Sequence, residues 1–244
     1  GKSLIRKTPV DIVKRILIFC ILVFPLMAAG VNLTCLMQPR DVAADPYWND
    51  VARYLAGMDV REKSVLYPKT RELPYQQHRR FMDDLWSKIQ KSTIDIIKPW
   101  RESNVPTSGS RATAFYPLSG ADFINLHTIF PASRRYLMIA MEPEGDASVL
   151  KDHQSRRLID GLVPVERSIY LYGVNNYFQS KVMSQEMTNR LLPGTAPALL
   201  IFMARMGLVI KSVDNVYIGD SGDLVSMPGS PAKKDNGKTY GIRI

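Results

Sequence analysis

Cysteine is scarce in this chain, and its placement limits the chemistry of the rest. The two cysteines, Cys20 and Cys35, both lie in or beside the first apolar run. The sequence after Cys35 therefore has no intrachain disulfide, thiol nucleophile or cysteine-based zinc site. The three histidines, His78, His127 and His153, are far apart and form no H-E-x-x-H pair. We interpret each as a surface or packing residue, and we predict neither a metal site nor a cofactor.

Long blocks of like charge are also absent, although the formal net charge is +9. No run of five or more like charges occurs after Arg15. The excess of basic over acidic residues is typical of a solvated basic surface rather than a nucleic-acid interface, so no nucleic-acid partner is expected. The sequence also contains no P-loop and no G-x-S-x-G nucleophile motif. No catalytic residues can be assigned from such motifs.

The longest apolar run, ILIFCILVFPLMAAGV, covers residues 16–31 and follows five basic residues. This order is typical of a secretory signal, and the small residues before and at Gly30 suit cleavage there. Left uncut, residues 16–37 would instead form a membrane anchor, although the run is short of the ~20 residues that span a bilayer comfortably. In both cases the basic flank predicts that the bulk of the chain is extracytoplasmic.

Composition divides the chain into three predicted segments. Residues 1–39 are the signal peptide or membrane anchor, residues 40–105 are a helical segment, and residues 106–244 are an α/β core. The final residues, KTYGIRI, begin a strand without a terminating signal. We therefore expect the natural chain to continue past Ile244.

Two helices are predicted in the middle segment. Residues 45–61 begin with Asp45 at the N-cap and Pro46 at the first helical position. Residues 73–100 carry apolar residues at helical spacing, and Pro99 is expected to end this helix. We interpret the apolar stripe as core packing rather than a cofactor site.

The stretch RATAFYPLSGADFINLHTIFPASRRYLMIAMEPEG, residues 111–145, predicts a strand–helix–strand unit. Residues 112–116 and 136–141 are expected to form buried strands, with a helix over residues 121–130 between them. Short connections favour a parallel pair with a right-handed crossover. The predicted fold class is α/β, with a Rossmann-like core and a mostly parallel sheet, preceded by the N-terminal signal or anchor helix and the helical segment.

Helices and strands alternate less clearly after Gly145. The expected helices are residues 148–160, 165–172, 177–192 and 196–206, the expected strands are 208–218 and 240–244, and 219–237 is expected to be a loop.

A ligand would be expected beyond the carboxyl ends of the two parallel strands. Gly120 would let a ligand approach the backbone, and the helix start near Ala121 would favour an anion. Glu142 lies 22 residues beyond Gly120, near the ~20 at which a ribose-binding acid follows a glycine loop. The candidate ligand-binding residues are Tyr116, Ser119, Gly120, Asp122, Glu142 and Glu144. Alternatively, Ser119 and Asp122 cap the helix while Glu142 and Glu144 solvate a strand end.

This outline resembles the first half of class I S-adenosylmethionine-dependent methyltransferases, over about 35 residues. That resemblance implies a nucleotide-like ligand at the Pro117–Asp122 loop. The loop departs from the family's D-x-G-x-G-x-G pattern, because Gly120 is its single glycine and Tyr116-Pro117 stand where the acid and first glycine would be.

A second resemblance rests on FYPLSGADF, IFP, MEPEG and LPGTAPALLIFMARMG, together with the leading apolar segment. These stretches are similar to a set of uncharacterised exported bacterial proteins whose core reads roughly Y-P-F-S-G-P-D-F. Leu118 and Ala121 depart from that core. The resemblance implies export to the bacterial envelope and an α/β fold. The expected partners are the membrane, through residues 16–37, and envelope proteins. The expected function is binding or assembly in the envelope, and the alternative is a methyltransferase-like enzyme or its degenerate descendant.

Overall fold

The structure of the protein is a computed structural model. It describes residues 43–105, 112–117, 122–140, 142–151, 157–175, 192–230, 234–235 and 237–244. The predicted signal or anchor, residues 1–39, and the expected helix over 177–192 lie outside this set, apart from Leu192. No helix among the described residues is both long and apolar enough to cross a bilayer.

The described chain is mixed helix and strand. Its helices are α1 (Pro46–Leu55), α2 (Leu73–Ile89), α3 (Asp95–Asn104), α4 (Phe123–Ile129), α5 (Ala147–Lys151), α6 (Arg157–Asp160), α7 (Leu162–Asn175) and α8 (Ala196–Arg205). Its strands are β1 (Thr113–Tyr116), β2 (Arg135–Met138), β3 (Asp214–Ile218), β4 (Leu224–Met227) and β5 (Tyr240–Arg243). A 3₁₀ segment, Tyr67–Arg71, precedes α2, and a π-helical segment, Gln90–Ile94, joins α2 to α3.

Helix α1 begins where the sequence predicts. The Asp45 carboxylate accepts hydrogen bonds from the amides of Tyr47 and Trp48, and Pro46 occupies the first turn. These contacts satisfy amides that have no partner inside the helix. The prediction of a helix at this position is confirmed.

Pro99 does not end the second predicted helix. It lies inside α3, which continues to Asn104. Proline at this position leaves the carbonyl of Asp95 without its usual helical donor. The helix has no buried residue, and Asp95 is exposed, so water can bond to that carbonyl at little cost.

The hydrophobic core is built mainly from helices. Helix α8 packs against α1, and α7 packs against α2. The largest fully buried side chains include Tyr54, Tyr75 and Phe202, and the rings of Tyr54 and Tyr75 stack with centroids 4.5 Å apart. Helices from both the predicted helical segment and the predicted α/β segment therefore contribute to one core.

The sheets are smaller than the sequence predicts. β1 and β2 pair in parallel, as expected, with α4 as the crossover. β3 pairs antiparallel with both β4 and β5, forming the order β4-β3-β5. One described strand pairing is thus parallel and two are antiparallel, so the described residues show neither a mostly parallel sheet nor a full Rossmann core. Strand β4 lies in the stretch 219–237 that was expected to be a loop, and residues 208–213 precede β3 without strand pairing.

Candidate functional site

The carboxyl ends of β1 and β2 meet at one edge, as the parallel prediction requires. Tyr116 is in register with Met138, and the N–H of Ile139 donates to the carbonyl of Tyr116 at 3.0 Å. The segments that carry the candidate acids leave the sheet from this edge. Ser119 and Gly120 lie outside the described residues, so their role stays a prediction.

Asp122 and Tyr116 are brought together by the fold. The Tyr116 hydroxyl donates to Asp122 Oδ2 at 2.5 Å, and Asn125 Nδ2 donates to Asp122 Oδ1 at 2.7 Å. Burial and the hydrogen bond to Asp122 raise the pKa of Tyr116 above its usual range. Asp122 stands at the N-cap of α4, but its side chain makes no capping hydrogen bond, so the expectation that it caps the helix is wrong.

Glu142 is buried and has no hydrogen-bond partner among the described residues. It is 4% exposed, and neither carboxylate oxygen has a partner in the part of the chain that the structure describes. The interpretation that Glu142 merely solvates a strand end is therefore wrong. Burying a carboxylate without partners is costly, which favours a ligand that donates hydrogen bonds to it.

Glu144 is engaged within the chain. Its carboxylate accepts from Ser230 Oγ at 3.0 Å and from Lys234 Nζ at 2.5 Å. Its carbonyl accepts from the N–H of Ala196 at 3.3 Å, at the start of α8. These contacts give Glu144 a structural role, joining the loop after β2 to α8 and to the segment after β4.

The backbones of two glycines, Gly145 and Gly194, are in direct contact next to these acids. We call this contact the glycine crossing. Gly145 and Gly194 have φ values of 87° and 81°, in the left-handed region. A Cβ on Gly145 would lie 2.2 Å from the carbonyl oxygen of Pro193, and a Cβ on Gly194 would lie 2.2 Å from the nitrogen of Gly145. Only glycine fits at this crossing.

Asn215 of β3 links the glycine crossing to the antiparallel sheet by two hydrogen bonds. Its Oδ1 accepts from the N–H of Ala147 at 2.8 Å, and its Nδ2 donates to the carbonyl of Gly145 at 2.8 Å. Asn215 is 2% exposed. The sequence analysis predicted neither the contact between Gly145 and Gly194 nor the hydrogen bonds of Asn215. The stretches MEPEG and LPG, which end in these two glycines, were the available signals for the contact.

The described histidines are packing residues. His127 Nδ1 lies 2.8 Å from Tyr136 Oη, and the Tyr136 hydroxyl donates to the carbonyl of Phe130 at 2.6 Å. Burial lowers the pKa of His127 and raises the pKa of Tyr136 to about 12. His78, which is 1% exposed, lies between Glu166 Oε1 and the carbonyl of Leu55. Among the described residues no three histidine, cysteine, aspartate or glutamate side chains are grouped to hold a metal ion.

A small cavity lies between α7 and the segment that leads into α8. Pro164, Ser168 and Ile169 line one side, and Gly194 and Ala198 line the other. Its volume of about 10 Å³ would hold about one water molecule. It is therefore too small for a nucleotide-like ligand, which needs hundreds of Å³.

One face of the parallel pair exposes three apolar side chains beside Thr113 and Arg135. Phe115 and Leu137 are register partners, and Ile139 follows on the same side. Their exposed fractions are 54%, 37% and 43%. The expectation of buried strands is therefore wrong, since only the opposite face, with Tyr136 and Met138, packs against the core. We call Phe115, Leu137 and Ile139 the apolar sheet face.

Comparison of the chain with models of protein families, with curated proteins and with solved structures found no match.

Proposed function

We propose that this protein is an exported or membrane-anchored component of the bacterial envelope that acts by binding another envelope protein. Export is supported by the basic flank and the apolar run of residues 16–31. Binding rather than catalysis is supported by the candidate acids Asp122 and Glu144, whose carboxylates are both engaged within the chain.

The observation that carries the proposal is the apolar sheet face. Parallel strands are normally covered on both faces, because their crossover helices pack on the sheet. Here one face packs against the core, while the other presents Phe115, Leu137 and Ile139 to solvent. Contiguous exposed apolar side chains mark interaction sites. The partner we infer is an envelope protein that covers this face with apolar side chains of its own.

Site-specific photo-crosslinking in cells tests this proposal. A benzophenone amino acid placed at Phe115 should give one discrete crosslinked product after irradiation. Tyr170 is the matched control position, because it is also an aromatic residue and is 47% exposed, on α7. The charge-introducing variant Leu137→Asp should abolish the product at position 115 by putting a carboxylate into the buried interface.

The control decides the interpretation. Equal products at positions 115 and 170, no product at either, or a product at 115 that survives Leu137→Asp would each contradict binding through this face. The thermal unfolding of Leu137→Asp is measured in parallel, since a folded variant is needed. Leu137 is 37% exposed, so we expect its melting temperature to stay close to that of the parent.

The alternative function is a methyltransferase-like enzyme, or its descendant, with a Rossmann-like core that binds a nucleotide-like ligand at the Pro117–Asp122 loop. Glu142 favours this alternative, since a buried carboxylate that no described residue bonds suits a ligand's hydroxyl groups. Its position after β2 is where a ribose-binding acid would stand.

A thermal-shift titration with S-adenosylmethionine and S-adenosylhomocysteine tests the alternative. A true ligand at 100 times its dissociation constant should stabilise the protein by about 2.7 kcal/mol. Glu142→Gln should abolish that shift, whereas Glu144→Gln should retain it, because Glu144 is engaged with Ser230 and Lys234. No shift in the parent protein, or a shift that Glu142→Gln leaves intact, would contradict ligand binding at Glu142.

A further inference from the structure

The amino-terminal end of α1 is fixed firmly to the body of the protein. The N–H of Asp45 donates to the carbonyl of Ile210 at 3.2 Å. Asn49 bonds Ile210 in both directions, with Nδ2 donating to its carbonyl at 2.7 Å and Oδ1 accepting from its N–H at 2.9 Å. Residues 209–211 are therefore held at the point where the described chain begins.

The side chains exposed at this end combine apolar and basic character. Val209 is 64% exposed, and Lys211 is exposed without an ion pair to any described residue. Lys151 extends over the ring of Trp48, which lies in the first turn of α1, with Nζ 5.8 Å from the ring centroid. Asp45 Oδ1 accepts hydrogen bonds from two amides of that turn. We call Val209, Lys211 and Lys151 the Val209 surface.

The linker from the predicted anchor to this end is short. Met37 closes the apolar stretch 16–37, and the described chain begins at Ala43. The six Cα–Cα steps from Met37 to Ala43 can span at most about 20 Å. The opposite end of α1, where the Tyr75 hydroxyl donates to the carbonyl of Met58 at 2.7 Å, lies about 15 Å away along the helix axis. An anchored chain therefore keeps the start of α1, and with it the Val209 surface, within about 20 Å of the apolar stretch, whereas the opposite end of α1 can lie about 35 Å away.

We propose that the Val209 surface contacts the membrane, with Val209 in the headgroup layer and Lys151 and Lys211 bound to anionic phospholipid headgroups. This inference rests on the proposed function, because an uncut anchor supplies the linker. An apolar side chain flanked by lysines suits the headgroup layer of a bilayer. The acyl chains offer it apolar contact, and the anionic headgroups offer negative charge to the lysines. Each lysine near an anionic surface favours the docked state by about fivefold.

Depth-dependent fluorescence quenching of the full chain in vesicles tests the proposal. Cys20 and Cys35 are first replaced by alanine, and an environment-sensitive fluorophore is attached to a single cysteine at position 209 or at position 73. Leu73 is the matched control, because it is 69% exposed and lies near the opposite end of α1. The vesicles contain phosphatidylethanolamine and phosphatidylglycerol, with brominated lipids as quenchers.

The expected result is flotation of the chain with the vesicles, with quenching at position 209 and little at position 73. Flotation with both labels in water would overturn the Val209 surface while leaving the anchor intact. Quenching at both positions would also overturn it, because contact would not be specific. Failure to float would instead overturn the anchored form of the proposed function, and the membrane contact with it.

Replacing Lys151 and Lys211 tests whether the Val209 surface binds anionic headgroups or only lies near the bilayer. The double variant Lys151→Gln, Lys211→Gln should lower the ratio of docked to undocked protein by about 25-fold. The control pair Lys88→Gln, Lys91→Gln removes two exposed lysines from elsewhere on the chain and should leave that ratio unchanged. Equal quenching in both double variants, or equal quenching in vesicles of phosphatidylcholine alone, would overturn the binding of anionic headgroups.

Discussion

Gly145→Ala is expected to cost about 4 kcal/mol or more of unfolding free energy, among the largest effects of any single substitution in this chain. Two penalties combine at this position. A non-glycine residue at φ of 87° is strained by about 1–2 kcal/mol. The new Cβ would also lie 2.2 Å from the carbonyl oxygen of Pro193, which is backbone and cannot rotate away.

Gly207→Ala separates the two penalties. Gly207 also has positive φ, at 77°, but a Cβ there would meet nothing within 4 Å. It should cost only the backbone strain, about 1–2 kcal/mol. Denaturant unfolding of the two variants measures the difference. Equal losses would contradict a backbone clash at Gly145.

Asn215→Ala is expected to destabilise the protein by about 3 kcal/mol, because it leaves two buried backbone groups without partners. The N–H of Ala147 loses its acceptor, and the carbonyl of Gly145 loses its donor. Neither group can turn to water readily, since Asn215 is 2% exposed and Ala147 is 3% exposed. The melting temperature should fall by about 6–12 °C for a chain of this size.

Asn104→Ala is the matched control for that loss. Asn104 donates one exposed hydrogen bond to the carbonyl of Trp100 at 2.7 Å, at the end of α3. Water can replace such a bond, so the change should stay within about 0.5 kcal/mol. If Asn215→Ala proved as mild as Asn104→Ala, the crossing would not depend on its link to β3.

Local signals in the sequence predicted the local structure well. Asp45 followed by Pro46 predicted the start of α1, and the capping hydrogen bonds confirm it. Short turns between apolar runs predicted the parallel pairing of β1 with β2, which the register confirms. These features depend on residues close in sequence, where capping and turn chemistry dominate.

Long-range partners could not be predicted in the same way. The apolar run around Phe115 predicted a buried strand, but burial depends on what covers the strand, and 54% of Phe115 remains exposed. The candidate acids illustrate the same limit. Because both follow β2, the sequence analysis grouped Glu142 with Glu144. Glu144 is bonded by Ser230 and Lys234, which are 86 and 90 residues away, while Glu142 has no partner among the described residues.

The contact of α1 with α8 has a consequence for the order in which the protein folds. Arg205, which ends α8, donates to the carbonyl of Ala56 after α1, across 149 residues of chain. At about 5–20 residues per second, synthesis needs roughly 7–30 s to cover that distance. The apolar side of α1 thus emerges early, and its partner emerges late. During that interval α1 lacks its contact with α8, so a holding chaperone would protect the nascent chain most effectively at α1.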